Sequence, residues 1–130
     1  MECLFTCFRK TAVTTTAANA KGGEAKMVTF LLVSWHTPAD CPTHNETSRK
    51  SMAEYMSKAA ELLTKHGVKM VGSWHVYGEH WTVMAFDAPS FEAMQALLME
   101  PEMMSITNWQ TMELKAAMTL EETWKMVQAQ

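Results

Sequence analysis

The sequence predicts an α+β domain in the order strand, helix, strand, strand, helix, strand, on three observations. Apolar runs of strand length alternate with stretches of helical period from residue 27 onward. The pair Gly78-Glu79 joins two strand patterns as a tight turn, and a Thr-x-x-Glu signature at Thr119 opens a last amphipathic segment. The 130 residues, 48% hydrophobic and 19% charged, have the length and composition of a single globular core.

The first strand is residues 27–36, MVTFLLVSWH, too short for a helix of this apolarity and closed by His-Thr-Pro. A loop, TPADCPTHNE, leads to a helix capped at Asn45 or Thr47. That helix sets Met52, Tyr55, Met56, Ala59 and Leu63 on one face and stops at His66-Gly67, with glycine just past its end. Residues 68–77 and 80–87 form a hairpin about Gly78-Glu79, which fits a type II′ turn and fixes the register Tyr77 to His80, His75 to Thr82, Ser73 to Met84. One face of the hairpin then carries Ser73, His75, Tyr77, His80 and Thr82, and the other is dry, with Met70, Gly72, Trp74, Trp81 and Val83. Ser90 caps a second helix bearing Phe91, Met94, Leu97 and Leu98, and Pro101 opens a short helical turn to Met104. A fourth strand follows at about 110–118. Thr119 to Glu122 make a capping box for a C-terminal extra helix with Leu120, Trp124 and Val127 on one side.

This order is the ferredoxin-like βαββαβ, a four-stranded antiparallel sheet with the fourth strand beside the first, then the third and the second, both main helices covering one face. Both alternating sets of the first strand, Val28, Phe30 and Leu32 against Thr29, Leu31, Val33 and Trp35, are mainly apolar, so the face without helices also needs cover. Burying several hundred Å² there at roughly 25 cal/mol per Å² is worth on the order of 10 kcal/mol gross. A second copy, sheet against sheet about a two-fold axis, is the expected partner, giving a homodimer or higher homo-oligomer.

Charge divides the chain. Residues 1–26 carry four basic and two acidic side chains, and residues 27–130 carry seven and twelve. An acidic domain without a basic stripe excludes nucleic acid as partner, and no apolar run approaches the roughly 18 residues of a membrane span. Three cysteines, Cys3, Cys7 and Cys41, make an odd count that argues against a disulfide framework and for a reducing, cytoplasmic setting. Residues 1–26 read as a tail: a targeting peptide, an acyl anchor through Cys3 and Cys7, or a plain extension. Twelve of the thirteen methionines fall after residue 26, where Met at helical spacing fills a core or a deformable pocket.

Through this element order and the run from Trp109 through MELKAAMTLEE, residues 27–128 resemble the dimeric α+β barrel superfamily. The likeness is to small members related to the antibiotic-biosynthesis-type monooxygenases. It implies a dimer and a small-molecule site; the Asn/Trp/His set of the haem-degrading branch is not matched, and fold analogy does not assign a reaction.

The topology gathers polar groups at one end of the sheet: His36, the loop with Cys41 and His44, the His75 to His80 hairpin, and Trp109. His36 and His75 are the candidate catalytic residues, as imidazoles able to orient a ligand or accept a proton near neutral pH. Trp35, Trp74, Tyr77, Trp81 and Trp109 are candidates to wall an apolar or aromatic ligand between sheet and helices, against the plain reading that Trp in a small domain is core. Cys41-Pro-Thr-His44 has a spacer that lets thiolate and imidazole share one transition metal ion, with His80, His36 or His75 completing the set. The plain alternatives are a buried apolar Cys41 and surface histidines at His44 and His80. A third function remains open at this point, a non-catalytic oligomeric module whose polar strip only specifies pairing. Glu113 and Lys115 share the less apolar face of the fourth strand, where an ion pair is the plain reading.

Overall fold

The structure is a computed structural model that describes residues 26–130. The readings made for the basic tail fall almost wholly on residues 1–25, outside the described ones. The elements run β1 (Val28–Trp35), a 3-10 turn (Pro38–Asp40), α1 (Glu46–Lys65), β2 (Lys69–His75), β3 (Trp81–Ala88), α2 (Phe91–Leu98), α3 (Pro101–Thr107), β4 (Thr111–Ala117) and α4 (Leu120–Gln128). The four strands lie in one antiparallel sheet in the order β2-β3-β1-β4, the ferredoxin-like arrangement.

Local chemistry explains the boundaries. Asn45 caps α1, its side-chain oxygen accepting from the Ser48 N–H at 3.1 Å, and Gly67 follows the helix with φ 65°, a value that favours glycine. Ser90 caps α2 through the Ala93 N–H, and Pro101 at the start of α3 gives up an amide that would have no partner there. At Thr119 both halves of the capping box form.

Phe30, Leu32 and Ser34 of β1 face the helices and are buried, opposite Phe86, Met84 and Thr82 of β3. Tyr55, Ala59 and Leu62 of α1, Met94 and Leu97 of α2, and Met103 and Ile106 of α3 close over them. The predicted stripe on α1 is displaced slightly: Leu62 is buried, while Met52 sits exposed at its edge. This packing fills the space between sheet and helices where a ligand pocket was expected. Met94 and Met103 fill the core, with Met56, Met70, Met84 and Met112 packed against it, while Met99, Met118 and Met126 are exposed.

The hairpin register is as the sequence predicts from His75 opposite Thr82 down to Gly72 opposite Ala85. A bulge between Met70 and Gly72 then shifts it by one, so Met70 stands opposite Phe86 and packs against the core instead of on the dry face. The turn also differs. Glu79 N–H donates to Val76 O at 3.1 Å, which puts Gly78, φ 76°, third in a turn of the type II kind and not first in a type II′ turn.

The face of the sheet away from the helices carries Leu31, Val33 and Trp35 beside Ala85, Val83 and Trp81, with Trp74 beyond them on β2. Trp74 is 59% and Trp81 49% exposed. Trp74 lies over Gly72, where a Cβ would meet its ring at 2.6 Å, so the missing side chain makes room for the indole. On β4, Lys115 Nζ pairs with Glu113 Oε2 at 2.9 Å on this same face. α4 buries none of its residues; Leu120, Trp124 and Val127 are all exposed.

Candidate functional site

The site lies at the rim of the sheet where β1 ends. His36 continues β1 by one residue, and its N–H donates to the His80 carbonyl at 3.2 Å, so the two side chains leave the sheet on the helix side together. His36 Nε2 and His80 Nδ1 stand 3.2 Å apart, with the rings edge to face at 5.0 Å. The other side of His36 meets Trp109, ring centres 5.5 Å apart and again edge to face. Trp109 is itself fixed, its Nε1–H donating to Ser51 Oγ at 3.2 Å, and Ser51 in turn shares a hydrogen bond with Ser105 of α3.

Burial, then the neighbouring His80 and His75, hold the His36 imidazole below its ordinary value, and only Asp40 acts the other way. His36 is thus a neutral ring at pH 7, free to accept a proton or to ligate.

Cys41 approaches from the loop before α1, and that loop is tightly tied. Thr37 Oγ1 donates to Asp40 Oδ2 at 2.6 Å, Asn45 N–H donates to Cys41 O at 2.8 Å, and Asn45 Nδ2 donates to Ala39 O. Arg49 reaches back from α1 to the carbonyls of Pro42 and Thr43. The sequence reasoning missed Asp40 and Arg49. The signal for Asp40 was present: Thr37-Pro-Ala-Asp40 has the form of a capped turn opened by proline. Arg49 carried no signal, since an arginine on an exposed helical face looks the same whether or not it folds back.

The donor atoms of His36, Cys41 and His80 all lie within 4.8 Å of one another. His44, expected to join Cys41, instead sets Nδ1 3.2 Å from Thr43 Oγ1, which also contacts Cys41 Sγ. His44 is not part of the group of three donors that His36, Cys41 and His80 form. His75 stays exposed on β2 with Nδ1 3.3 Å from Thr82 Oγ1, near enough for its charge to act on His36.

The five aromatic candidates are divided by the sheet. Trp35 and Trp81, ring centres 6.3 Å apart, border a hollow of about 440 Å³ on the helix-free face, with Val33, Glu113 and Lys115. Trp35 also reaches a second hollow of about 300 Å³ at the rim, shared with His36, Asp40, Asn108, Trp109 and Gln110. Trp74 covers Gly72, and Tyr77 at the turn is 98% exposed and borders neither.

No family model and no curated protein matches the chain. Several solved structures are similar in backbone path. One is a protein of unknown function from Rhodopseudomonas palustris, 13% identical, covering 72% of this chain and 85% of its own, TM-score 0.45. Another is SnoaB, a cofactor-independent oxygenase from Streptomyces nogalater, 11% identical over 72% and 92%, TM-score 0.43. A third is a dimeric ferredoxin-like protein from an uncultured marine organism, 12% identical over 73% and 91%, TM-score 0.44. The ferredoxin-like α+β architecture of the chain rests on its own strand order. Among the described residues no helix is long and apolar enough to cross a membrane.

Proposed function

We propose that the domain works as a homodimer that binds a small, flat, largely apolar molecule in the rim hollow, with His36 as its polar handle. The observation that carries this reading is the placement of His36: a neutral imidazole, fixed edge-on between His80 and Trp109, on the wall of a 300 Å³ hollow. A concave site with indole walls at Trp35 and Trp109 and a few convergent polar groups, here Asn108, Gln110 and Asp40, is the usual build of a small-molecule site. A neutral imidazole there can take a proton from the bound molecule, the role a monooxygenase-like reaction asks of a base.

The dimer follows from two unpartnered apolar surfaces. A four-stranded face seven residues long covers about 450 Å² at the usual spacings, short of the roughly 800 Å² per partner of a stable specific pair. The stripe Leu120, Trp124 and Val127 on α4 supplies further apolar area, so a second copy engages both the sheet face and α4. Glu113 and Lys115, opposite charges two residues apart on that face, suit antiparallel pairing with their own copies.

A panel of aromatic acids, phenols and quinones screened by thermal shift in chelator-treated buffer tests the ligand reading. A binder raises the melting temperature of the wild type, and its affinity falls at least about tenfold in His36→Ala and in Trp109→Ala. A panel without effect, or a binder indifferent to both changes, rejects it in favour of a pure assembly module.

A further inference from the structure

The rim holds a second chemistry that the ligand reading does not use. His36 and Cys41 flank the 3-10 turn of the β1–α1 connection, and His80 joins them from the β2–β3 turn some forty residues on, so the three donors come from two loops distant in sequence. Such convergence is unlike the chance clustering of acidic side chains on one helix. We infer that His36, Cys41 and His80 form a metal site for a borderline divalent cation of the zinc type, three protein ligands with the fourth position left to water or to the molecule in the rim hollow. The inference rests on the proposed rim site for its location alone, and in the ion-bound state it makes His36 a ligand in place of a base.

Three features of the geometry support it. Two imidazole nitrogens on one tetrahedral zinc are about 3.3 Å apart for bonds of about 2.05 Å, and His36 Nε2 and His80 Nδ1 already stand at 3.2 Å. A thiolate and an imidazole on the same ion are about 3.6 Å apart by the same geometry. The 4.8 Å limit on the present donor separations then asks Cys41 Sγ to move inward by roughly 1 Å at most, within the reach of a side-chain rotation. Its present hydroxyl neighbour, Thr43 Oγ1 at 3.1 Å, is exposed and easily left.

The donor set selects the ion. One thiolate with two neutral imidazoles suits zinc and cobalt(II), while calcium and magnesium want oxygen ligands. Binding replaces the hydrogen bond between the rings: the proton on the shared edge moves to the far nitrogen of its own ring, leaving both imidazoles neutral. Cys41 loses its thiol proton to solvent, one proton per ion bound. The ties from Asn45 and Arg49 hold the Cys41 loop in place before the ion arrives, so little chain must be ordered on binding.

The test uses the full chain carrying Cys3→Ser and Cys7→Ser, so that Cys41 is the sole thiol, titrated with zinc chloride by calorimetry and with cobalt(II) chloride by absorption. One ion per chain is expected, with a thiolate-to-cobalt charge-transfer band in the near ultraviolet. His36→Ala, His80→Ala and Cys41→Ala each lower zinc affinity by about 100-fold or more, since even changes behind the ligands cost 10- to 100-fold. Cys41→Ala also removes the band, and His44→Ala leaves both affinity and band unchanged. No binding to the wild type, no thiolate band, or a loss in His44→Ala equal to that in His80→Ala overturns the assignment. Because the ligand screen is run without metal, it can succeed where this fails, and the reverse.

Discussion

Glu100 shows how a single side chain ties two elements. It stands where α2 gives way to α3 and accepts from Lys65 Nζ and His66 Nε2 at the end of α1, each at 2.6 Å. Its side chain is only 13% exposed, and the Lys65 hydrogen bond first, then that of His66, holds its carboxyl below the usual carboxylate range. The folded state therefore binds this proton less readily than the unfolded chain. The resulting stabilisation is complete above the unfolded value of about 4.3 and is lost as pH falls through the lower folded value. Glu100→Gln should lower the melting temperature at pH 7 and flatten its decline below about pH 4. Thermal melts across pH 2.5 to 7, by circular dichroism, check both effects, and parallel curves for variant and wild type speak against the tie.

Among the elements α4 is the odd one, well capped yet buried nowhere. A short helix in water is marginal, so its order depends on the cap and on whatever covers Leu120, Trp124 and Val127. Thr119→Ala removes the hydroxyl half of the capping box, which accepts from the Glu122 N–H, and leaves the Thr119 N–H bond to the Glu122 carboxylate; it should cost about 1 kcal/mol. If α4 docks on a second copy, that cost appears as a several-fold weaker dimer, measured by sedimentation at falling concentration. An unchanged dimer constant would detach α4 from the interface. The elements were otherwise legible in the sequence because each had a local cause: Asn45, Ser90 and Thr119 as caps, Gly67 as a stop, Pro101 as a start. What could not be read depends on long-range packing. The bulge that turns Met70 inward answers to Phe86 and the helices above it, and alternation along β2 alone gives no sign of it. In the same way topology suffices to bring His36, His80 and the Cys41 loop to one rim, whereas the hydrogen bond of His44 to Thr43 depends on the local path of the loop.

At the scale of the molecule, the sheet separates two environments that the sequence had merged into one pocket. His36 and its partners belong to the helix side, and Trp74 and Trp81 to the face without helices. Val33 stands near the middle of that face, between Val83 and Glu113 on the neighbouring strands. Val33→Asp should leave the monomer folded, because the core lies on the opposite side, while shifting the species seen by light scattering from dimer to monomer. The wild-type melting temperature should rise with protein concentration and that of the variant should not. A monomeric wild type at micromolar concentration would refute the pairing.

The bulge at Val71 has a further effect on how such molecules meet. The outer strands β2 and β4 leave free amides and carbonyls along the two margins of the layer, a template onto which another chain could zip and so propagate a fibril. An extra residue in β2 breaks the even spacing that such zipping requires, and the charged side chains of Glu113 and Lys115 stand along the opposite margin. Both features disfavour growth sideways and leave the helix-free face as the surface on which a second copy would stack, an arrangement that would end after one step.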